Sequence, residues 1–121
     1  MLNKKIYVID SKCSQAHIDS FSVNERRDVE IRASGYLSTQ KIPRDHDLYL
    51  LHLSDIPLRD LEDLREEQPW SWIFGICNRG GTEILSEVRS CLDGLFSSVL
   101  FPSDYNFLLE KVKSERAGDK K

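Results

Sequence analysis

The stretch Asp47-Leu-Tyr-Leu-Leu-His-Leu-Ser-Asp-Ile-Pro57 decides the fold. Its apolar residues run almost without interruption around one histidine, His52. Such a run is typical of a strand that is buried on both faces, as in a parallel sheet covered by helices. Ligands and chemistry in these sheets lie just beyond the carboxyl ends of the strands. His52 and Asp55 are therefore predicted to lie at the functional edge of the sheet.

The whole chain is compatible with one domain, because 121 residues are enough for a real core. The net charge of −3 gives no broad attraction to nucleic acid, so no direct nucleic-acid partner is expected. No apolar run approaches the roughly 20 residues of a membrane span. The basic start is followed by an apolar run too short for a signal peptide. These features predict a cytoplasmic protein with no membrane partner.

The three cysteines, Cys13, Cys77 and Cys91, include no CxxC pair. This number and spacing argue against a disulfide framework and a zinc site. We expect small buried thiols, and neither a metal nor a cofactor is predicted.

Strands and helices alternate on both sides of the central run. On its N-terminal side, Lys5–Ile9 predicts a buried strand ending at Asp10, and a helix capped by Ser11 or Ser14 follows through Phe21. Alternation in Val29–Ala33 predicts a half-buried edge strand. A short helix at Ser38–Lys41 is possible before Pro43. The isolated histidines His17 and His46 are expected to face solvent.

The central strand itself is predicted at Leu48–Leu53. On its C-terminal side, Leu58, Leu61 and Leu64 recur every three residues, which predicts an amphipathic helix ended by Pro69. The next apolar run, Trp70–Cys77, predicts another buried strand.

The last part of the chain repeats the pattern once more. Thr82 is predicted to cap a helix, and a short strand is predicted at Phe96–Phe101. A final helix capped by Ser103 or Asp104 then buries Tyr105, Leu108, Leu109 and Val112. We expect one domain over residues 1–113 and a polar tail or linker over 114–121. The alternation indicates an α/β fold, a doubly wound five-stranded parallel sheet of flavodoxin-like (CheY-like) order 2-1-3-4-5, with helices on both faces.

The chain resembles the CheY-like receiver domain of bacterial response regulators over roughly Lys4–Lys113. Receivers end their first strand in paired acids, where this chain has Asp10 and Ser11. They carry the phosphorylated aspartate in Asp-Leu-x-Leu-Leu-Asp-Leu, where this chain has His52. Their fourth strand ends in a hydroxyl residue, here Cys77, and their fifth ends in Lys-Pro, here Phe101 followed by Pro102.

These departures predict a degenerate receiver, or pseudo-receiver, with a vestigial phosphorylation site at Asp10, Ser11, His52, Cys77 and Phe101. Phosphoryl transfer needs a carboxylate nucleophile, a metal held by oxygen ligands, and groups that hold the phosphoryl oxygens. In one interpretation, His52 accepts a phosphoryl group or binds a metal together with Cys77 and Asp10. In the other, His52 is a packed histidine hydrogen-bonded to Asp10. The packed histidine is the reading we adopt, and no enzymatic activity is expected.

The resemblance implies regulation through protein–protein contacts in signal transduction or transcription control. The alternative is a small ligand sensed in the vestigial pocket, lined by Asp10, His52, Cys77 and Asn78. In receivers the surface of the fourth helix, fifth strand and fifth helix commonly mediates contacts, and Thr82–Lys113 matches it. The expected partner is a second copy or another signalling protein, and a C-terminal effector domain could follow, as in enhancer-binding activators. The residues predicted for the interaction face are Arg89, Phe101, Tyr105, Phe107 and Lys111.

Overall fold

The computed structural model describes residues 4–11, 14–22, 29–35, 42–77, 86–97 and 100–114. The strands are Lys4–Ile9 (β1), Val29–Ser34 (β2), Leu48–His52 (β3), Trp72–Cys77 (β4) and Gly94–Ser97 (β5). The helices are Ser14–Ser22 (α1), Leu58–Glu67 (α2), Ser86–Ser90 (α3) and Pro102–Val112 (α4).

The five strands form one sheet in the order β2-β1-β3-β4-β5, and every pairing is parallel. The predicted α/β fold and strand order are therefore confirmed. The strand β3 lies at the centre, with Ile9 opposite Leu51 on one side and His52 opposite Ile76 on the other. Because all strands run the same way, their carboxyl ends share one edge of the sheet.

The strand β3 explains why its sequence is apolar at consecutive positions. Leu48 and Leu50 belong to a core that β1, α1 and α4 also supply. Tyr49 and Leu51 belong to a second core on the opposite face, which α2 and Cys91 complete. Successive side chains of a strand point to opposite faces, so a central strand under helices on both sides needs apolar residues throughout.

The helix α2 packs through Leu61 and Leu64, as its three-residue spacing predicts. Its Arg65 guanidinium donates to three carbonyls around the start of β4, those of Gln68, Pro69 and Ser71, at 3.0, 3.1 and 2.6 Å. It also donates to the Cys91 carbonyl and the Asp93 carboxylate, each at 3.3 Å. Arg65 thus ties α2 to the turn between α3 and β5.

The last strand differs from the sequence prediction, because β5 begins at Gly94 and ends at Ser97 rather than spanning Phe96–Phe101. Leu100 and Phe101 lie outside the strand, and residues 98–99 lie outside the described ranges. A Cβ atom on Gly94 would lie 2.9 Å from the Phe74 ring. The close approach of this ring explains why a glycine stands inside a strand, where glycine usually weakens the strand.

The predicted solvent exposure of the histidines was wrong. His46 is 2% exposed, and its ring packs against the rings of Tyr7 and Tyr49, with centroids 5.0 and 5.8 Å apart. His17 is also buried, on α1. His17 lies four residues before Phe21, so the two share the inward face of the helix. For His17, position in the sequence was a poor guide, because helix periodicity sets which residues of a helix point inward.

Some sequence predictions fall outside the described ranges. These are the short helix at Ser38–Lys41, the capping role of Thr82, the burial of Cys13, the lining role of Asn78 and the structure of residues 115–121. Cys77 and Cys91 are buried free thiols, as predicted. Within the described ranges, no helix has both the length and the apolar character needed to cross a bilayer.

Candidate functional site: the carboxyl edge of the sheet

Asp10 follows β1 directly, and its backbone N–H donates to the Ser34 carbonyl at the end of β2. Asp10 is buried. Aspartate is rarely buried unless another group pairs with it. Alternation along β1 places Asp10 on the same face as Ile6 and Val8, which is the face covered by α1 and α4. The fold therefore turns this carboxylate toward those two helices.

The partner of Asp10 is His17 of α1. The distance from His17 Nε2 to Asp10 Oδ2 is 2.9 Å, and the two side chains are only 5% and 6% exposed. The other ring nitrogen, His17 Nδ1, lies 2.8 Å from the hydroxyl of Tyr105 on α4. Tyr105 also packs edge-on against Phe21, with ring centroids 4.9 Å apart. Three elements thus meet in one buried hydrogen-bonded chain.

When Asp10 is ionised and His17 is neutral, hydrogen-bond chemistry gives this chain one direction. An ionised carboxylate only accepts, so Nε2–H of His17 donates to Asp10. In the neutral imidazole Nδ1 is then an acceptor, and the Tyr105 hydroxyl donates to it. Asp10, His17 and Tyr105 are thus each hydrogen-bonded to another member of this buried set, as burial requires.

The predicted hydrogen bond between the described residues His52 and Asp10 is not formed. His52 Nδ1 lies 2.7 Å from the hydroxyl of Ser54, and the residue is half-buried. The prediction of a histidine hydrogen-bonded to Asp10 was right in kind but placed on the wrong histidine. The histidine that is hydrogen-bonded to Asp10 lies on α1. A comparison of strand ends alone does not consider the helices.

Ser11 stands where receivers have a second acid, and its backbone N–H donates to Asp55 Oδ2 at 2.9 Å. Asp55 lies in the turn after β3, whose Asp55 N–H also donates to the His52 carbonyl at 2.9 Å. Asp55 therefore lies at the carboxyl edge of the sheet, as predicted. Its carboxylate ties the β3 turn to the end of β1.

Cys77 and Phe101 stand at the positions where receivers have a hydroxyl residue and a lysine. Cys77 is buried at the end of β4, where its Sγ lies 3.7 Å from the Phe96 carbonyl. Alternation places its side chain on the opposite face from Ile76. Phe101 is 61% exposed at the start of α4, where its N–H donates to Asp104 Oδ2 at 2.8 Å.

The receiver resemblance implies a divalent cation beside Asp10, and the residues present do not fit one. Magnesium prefers oxygen ligands in a near-octahedral arrangement. Asp10 is hydrogen-bonded to His17, and the neighbouring acid position holds Ser11. Across the part of the chain that the structure describes, no three His, Cys, Asp or Glu side chains are grouped so that they could hold a metal ion.

A second candidate site is the outer surface of α4. Phe107 is 43% exposed, and its ring packs edge-on against Phe74 and Phe96, with centroids 5.9 and 6.1 Å apart. Lys111 Nζ lies 4.7 Å from the Trp72 ring centroid and 5.6 Å from that of Phe107. This arrangement presents apolar rings and a positive charge on one side of the domain.

The interaction face predicted from the sequence is only partly at the surface. Phe101, Phe107 and Arg89 are exposed and Lys111 is half-buried, whereas Tyr105 is buried against His17 and Phe21. The strand β5 links the two helices of this face. Arg89 lines a cavity of about 260 Å³ together with Leu92, Asp93, Gly94 and Leu95, while Phe107 packs on Phe96. We define the α3–β5–α4 face as Arg89, Phe101, Phe107 and Lys111.

Comparison with known proteins rests on structure, since no protein family model and no curated protein sequence matches the chain. The receiver domain of AraT, a response regulator from Geobacillus stearothermophilus, has a TM-score of 0.74 and 17% identity, with 93% of this chain and 94% of that chain covered. A response regulator receiver domain protein from Clostridium thermocellum has a TM-score of 0.72 and 12% identity, with 90% and 93% covered. The chain has the receiver fold.

A third similar structure shows a receiver-fold protein with a partner. It is the complex of the P1 domain of CheA3 with CheY6 from R. sphaeroides, matched with a TM-score of 0.66, 13% identity, and 93% and 98% of the two chains covered. These identities establish the receiver fold alone.

The sequence located the strand ends of this receiver fold but missed His17 and its link to Tyr105. A buried acid needs a partner, and the position of His17 one helical turn before Phe21 was the available signal.

Proposed function

We propose that this protein is a receiver-like regulatory domain of bacterial signal transduction or transcription control. In this proposal it acts in the cytoplasm through protein–protein contacts and accepts no phosphoryl group. The observation that carries the proposal is the 2.9 Å hydrogen bond between His17 and Asp10, because it engages the acid that a receiver would use for its metal. The receiver fold supports the regulatory class.

The surroundings of His52 support the same conclusion. Phosphoryl transfer needs positive charge placed around the transferred group. Phe101 stands at the lysine position and is exposed, and Cys77 at the hydroxyl position is buried. No oxygen nucleophile stands at the position of His52, whose Nδ1 is hydrogen-bonded to Ser54. The site therefore lacks the nucleophile, the cation ligands and the groups that stabilise the phosphoryl oxygens.

The contacts in this proposal run through the α3–β5–α4 face. Aromatic residues and arginine are enriched in protein interfaces, and a few such residues carry much of the binding energy. Phe101, Phe107 and Arg89 provide such groups. The partner is a second copy or another signalling protein. Residues 114–121 then act as a linker to a C-terminal effector domain of an enhancer-binding activator or a related regulator.

The test is incubation with acetyl phosphate, or with beryllofluoride, in the presence of magnesium. We expect no mass increase in intact protein kept at neutral to alkaline pH, where phosphohistidine survives, and no change in amide NMR spectra. The matched variant is His52→Ala, which should behave like the wild type in both measurements. Stable phosphate incorporation that His52→Ala abolishes would overturn the proposal.

A further inference from the structure

The chain of hydrogen bonds through Asp10, His17 and Tyr105 joins parts of the fold that are distant in sequence. Asp10 ends β1 at the carboxyl edge of the sheet, His17 lies in α1, and Tyr105 lies in the first half of α4. The two bonds measure 2.9 and 2.8 Å, and all three residues are buried. Bonds of this length are in the normal range of well-formed hydrogen bonds.

His17 is hydrogen-bonded to both of the other residues, so its orientation depends on both ends. Its Nε2–H is directed by a buried carboxylate, which fixes the tautomer. The tautomer in turn makes Nδ1 the acceptor for the Tyr105 hydroxyl. If Asp10 no longer accepts this proton, the imidazole loses the bond that orients it toward Tyr105.

We propose that Asp10, His17 and Tyr105 form a relay that couples the acid of the vestigial site to the seating of α4. The inference rests on the proposed function, since it takes Asp10 to be engaged by His17 rather than by a metal. The helix α4 carries Phe107 and Lys111 on its outer side, so the relay links the carboxyl edge to the α3–β5–α4 face. Coupling between two sites is reciprocal, so a partner that shifts α4 also shifts the environment of Asp10.

A double-mutant cycle tests the relay. Tyr105→Phe keeps the ring that packs on Phe21 and removes only the hydroxyl, and Asp10→Ala removes the carboxylate. Since each change breaks the same chain, the second should cost less once the first is present. We expect the unfolding equilibrium constant of the double mutant to change by at least about twofold less than the product of the single changes.

The matched control repeats the cycle in a His17→Leu background, where no imidazole connects the two ends. There the two changes should be independent, and the cycle should close to within about twofold. Trp72 fluorescence provides a readout of α4, because the Trp72 indole N–H donates to the Ser114 carbonyl at 3.0 Å and its ring contacts Lys111. Trp70→Phe removes the exposed second tryptophan from the signal.

Nitrogen NMR of the wild-type imidazole gives a measurement that requires no Asp10 variant to fold. The relay predicts His17 as the Nε2–H tautomer and a shift of its Nδ1 resonance in Tyr105→Phe. The Nδ1–H tautomer, or a cycle with His17 present that closes within error, would refute the relay. An additive cycle without phosphate incorporation rejects the relay alone, whereas phosphate incorporation rejects the proposed function.

Discussion

His17 Nε2 lies 2.9 Å from Asp10 Oδ2, with both side chains almost completely buried. The carboxylate at the end of β1 therefore has a partner built into the same chain. A buried charge without a partner would cost several kcal/mol. This pairing gives the buried acid its partner, and Ser11, His52, Cys77 and Phe101 stand at the other positions of the predicted vestigial site.

Changing His52 to aspartate should not create a magnesium site. The new carboxylate would restore one ligand, but Asp10 would still be hydrogen-bonded to His17, and Ser11 would still lack a carboxylate. We expect His52→Asp to show no heat of magnesium binding by calorimetry at millimolar metal. His52→Leu, the matched control, should also bind no magnesium and keep the wild-type fold, because His52 is only half-buried. Millimolar binding by His52→Asp alone would show that Asp10 is available to a cation.

Self-association through the α3–β5–α4 face should be detectable by sedimentation over a concentration series. Exposed charge pairs contribute only about 0.2–1 kcal/mol each, so Arg89→Glu and Lys111→Glu should each weaken the dimer by about two- to fivefold. Phe107→Ser should weaken it more, because apolar rings supply most of the energy of an interface.

The control for these variants is Arg59→Glu, an exposed position on α2 that lies outside the face. It should leave the dimer dissociation constant unchanged. A wild-type protein that stays monomeric at every concentration would exclude the dimer and leave another signalling protein as the partner.

Arg65 should be a major contributor to stability. Its guanidinium donates to five oxygen atoms of the described residues, four of them carbonyl oxygens at the edge of the sheet opposite the candidate site. Bonds to a charged group contribute about 1.5–3 kcal/mol, and breaking a largely buried ion pair costs more. We therefore expect Arg65→Ala to lower the free energy of unfolding by about 2–4 kcal/mol in urea titrations.

Two further variants sharpen this test. Arg65→Lys should recover only part of the loss, because an ammonium cannot reproduce the planar fork of donors. Arg59→Ala, which removes an exposed arginine from the same helix, should change the stability by less than about 0.5 kcal/mol. Equal effects of Arg65→Ala and Arg59→Ala would contradict the role given to Arg65.

His46 should make the protein sensitive to acid. Burial lowers the pKa of His46, although Asp45 favours the charged ring. His46 Nδ1 lies 2.7 Å from Asp45 Oδ1, and Nε2 has no hydrogen-bond partner among the described residues. Below the unfolded-state pKa of about 6.5, the unfolded chain binds a proton that the folded chain does not. The free energy of unfolding therefore decreases as the pH is lowered.

The measurement is the free energy of unfolding at pH 7 and pH 5 for the wild type and His46→Phe. The variant keeps an aromatic ring beside Tyr7 and Tyr49 but cannot titrate. We expect the wild type to lose more stability than the variant over this interval, by at most about 1.4 kcal/mol per pH unit for one proton. An equal loss in both proteins would show that other groups cause the acid sensitivity.

Several features of the site depend on how the helices are oriented against the sheet. The apolar patterns of the strands give no information about that orientation. Asp10 and His52 were placed at strand ends because an apolar run that stops at a polar residue marks both the strand and its edge. His17 was misjudged because the strand patterns give no information about which helix residues reach Asp10 and Tyr105, its neighbours in space. The start of β5 at Gly94 was missed, because the ring of Phe74, 2.9 Å from where a Cβ atom on Gly94 would lie, is twenty residues away in sequence.

The sequence alone determined the α/β class and the identity of the residues at the carboxyl edge, because periodicity and apolar runs are local properties of the chain. The strand order followed from the alternation of strands and helices together with the right-handedness of crossovers. Tertiary structure decided which histidine engages Asp10, where β5 begins and which aromatic residues reach the surface. Each of these depends on how two helices or a ring from another strand pack against the sheet. Such contacts join residues far apart in sequence, and local patterns do not specify their distance or direction.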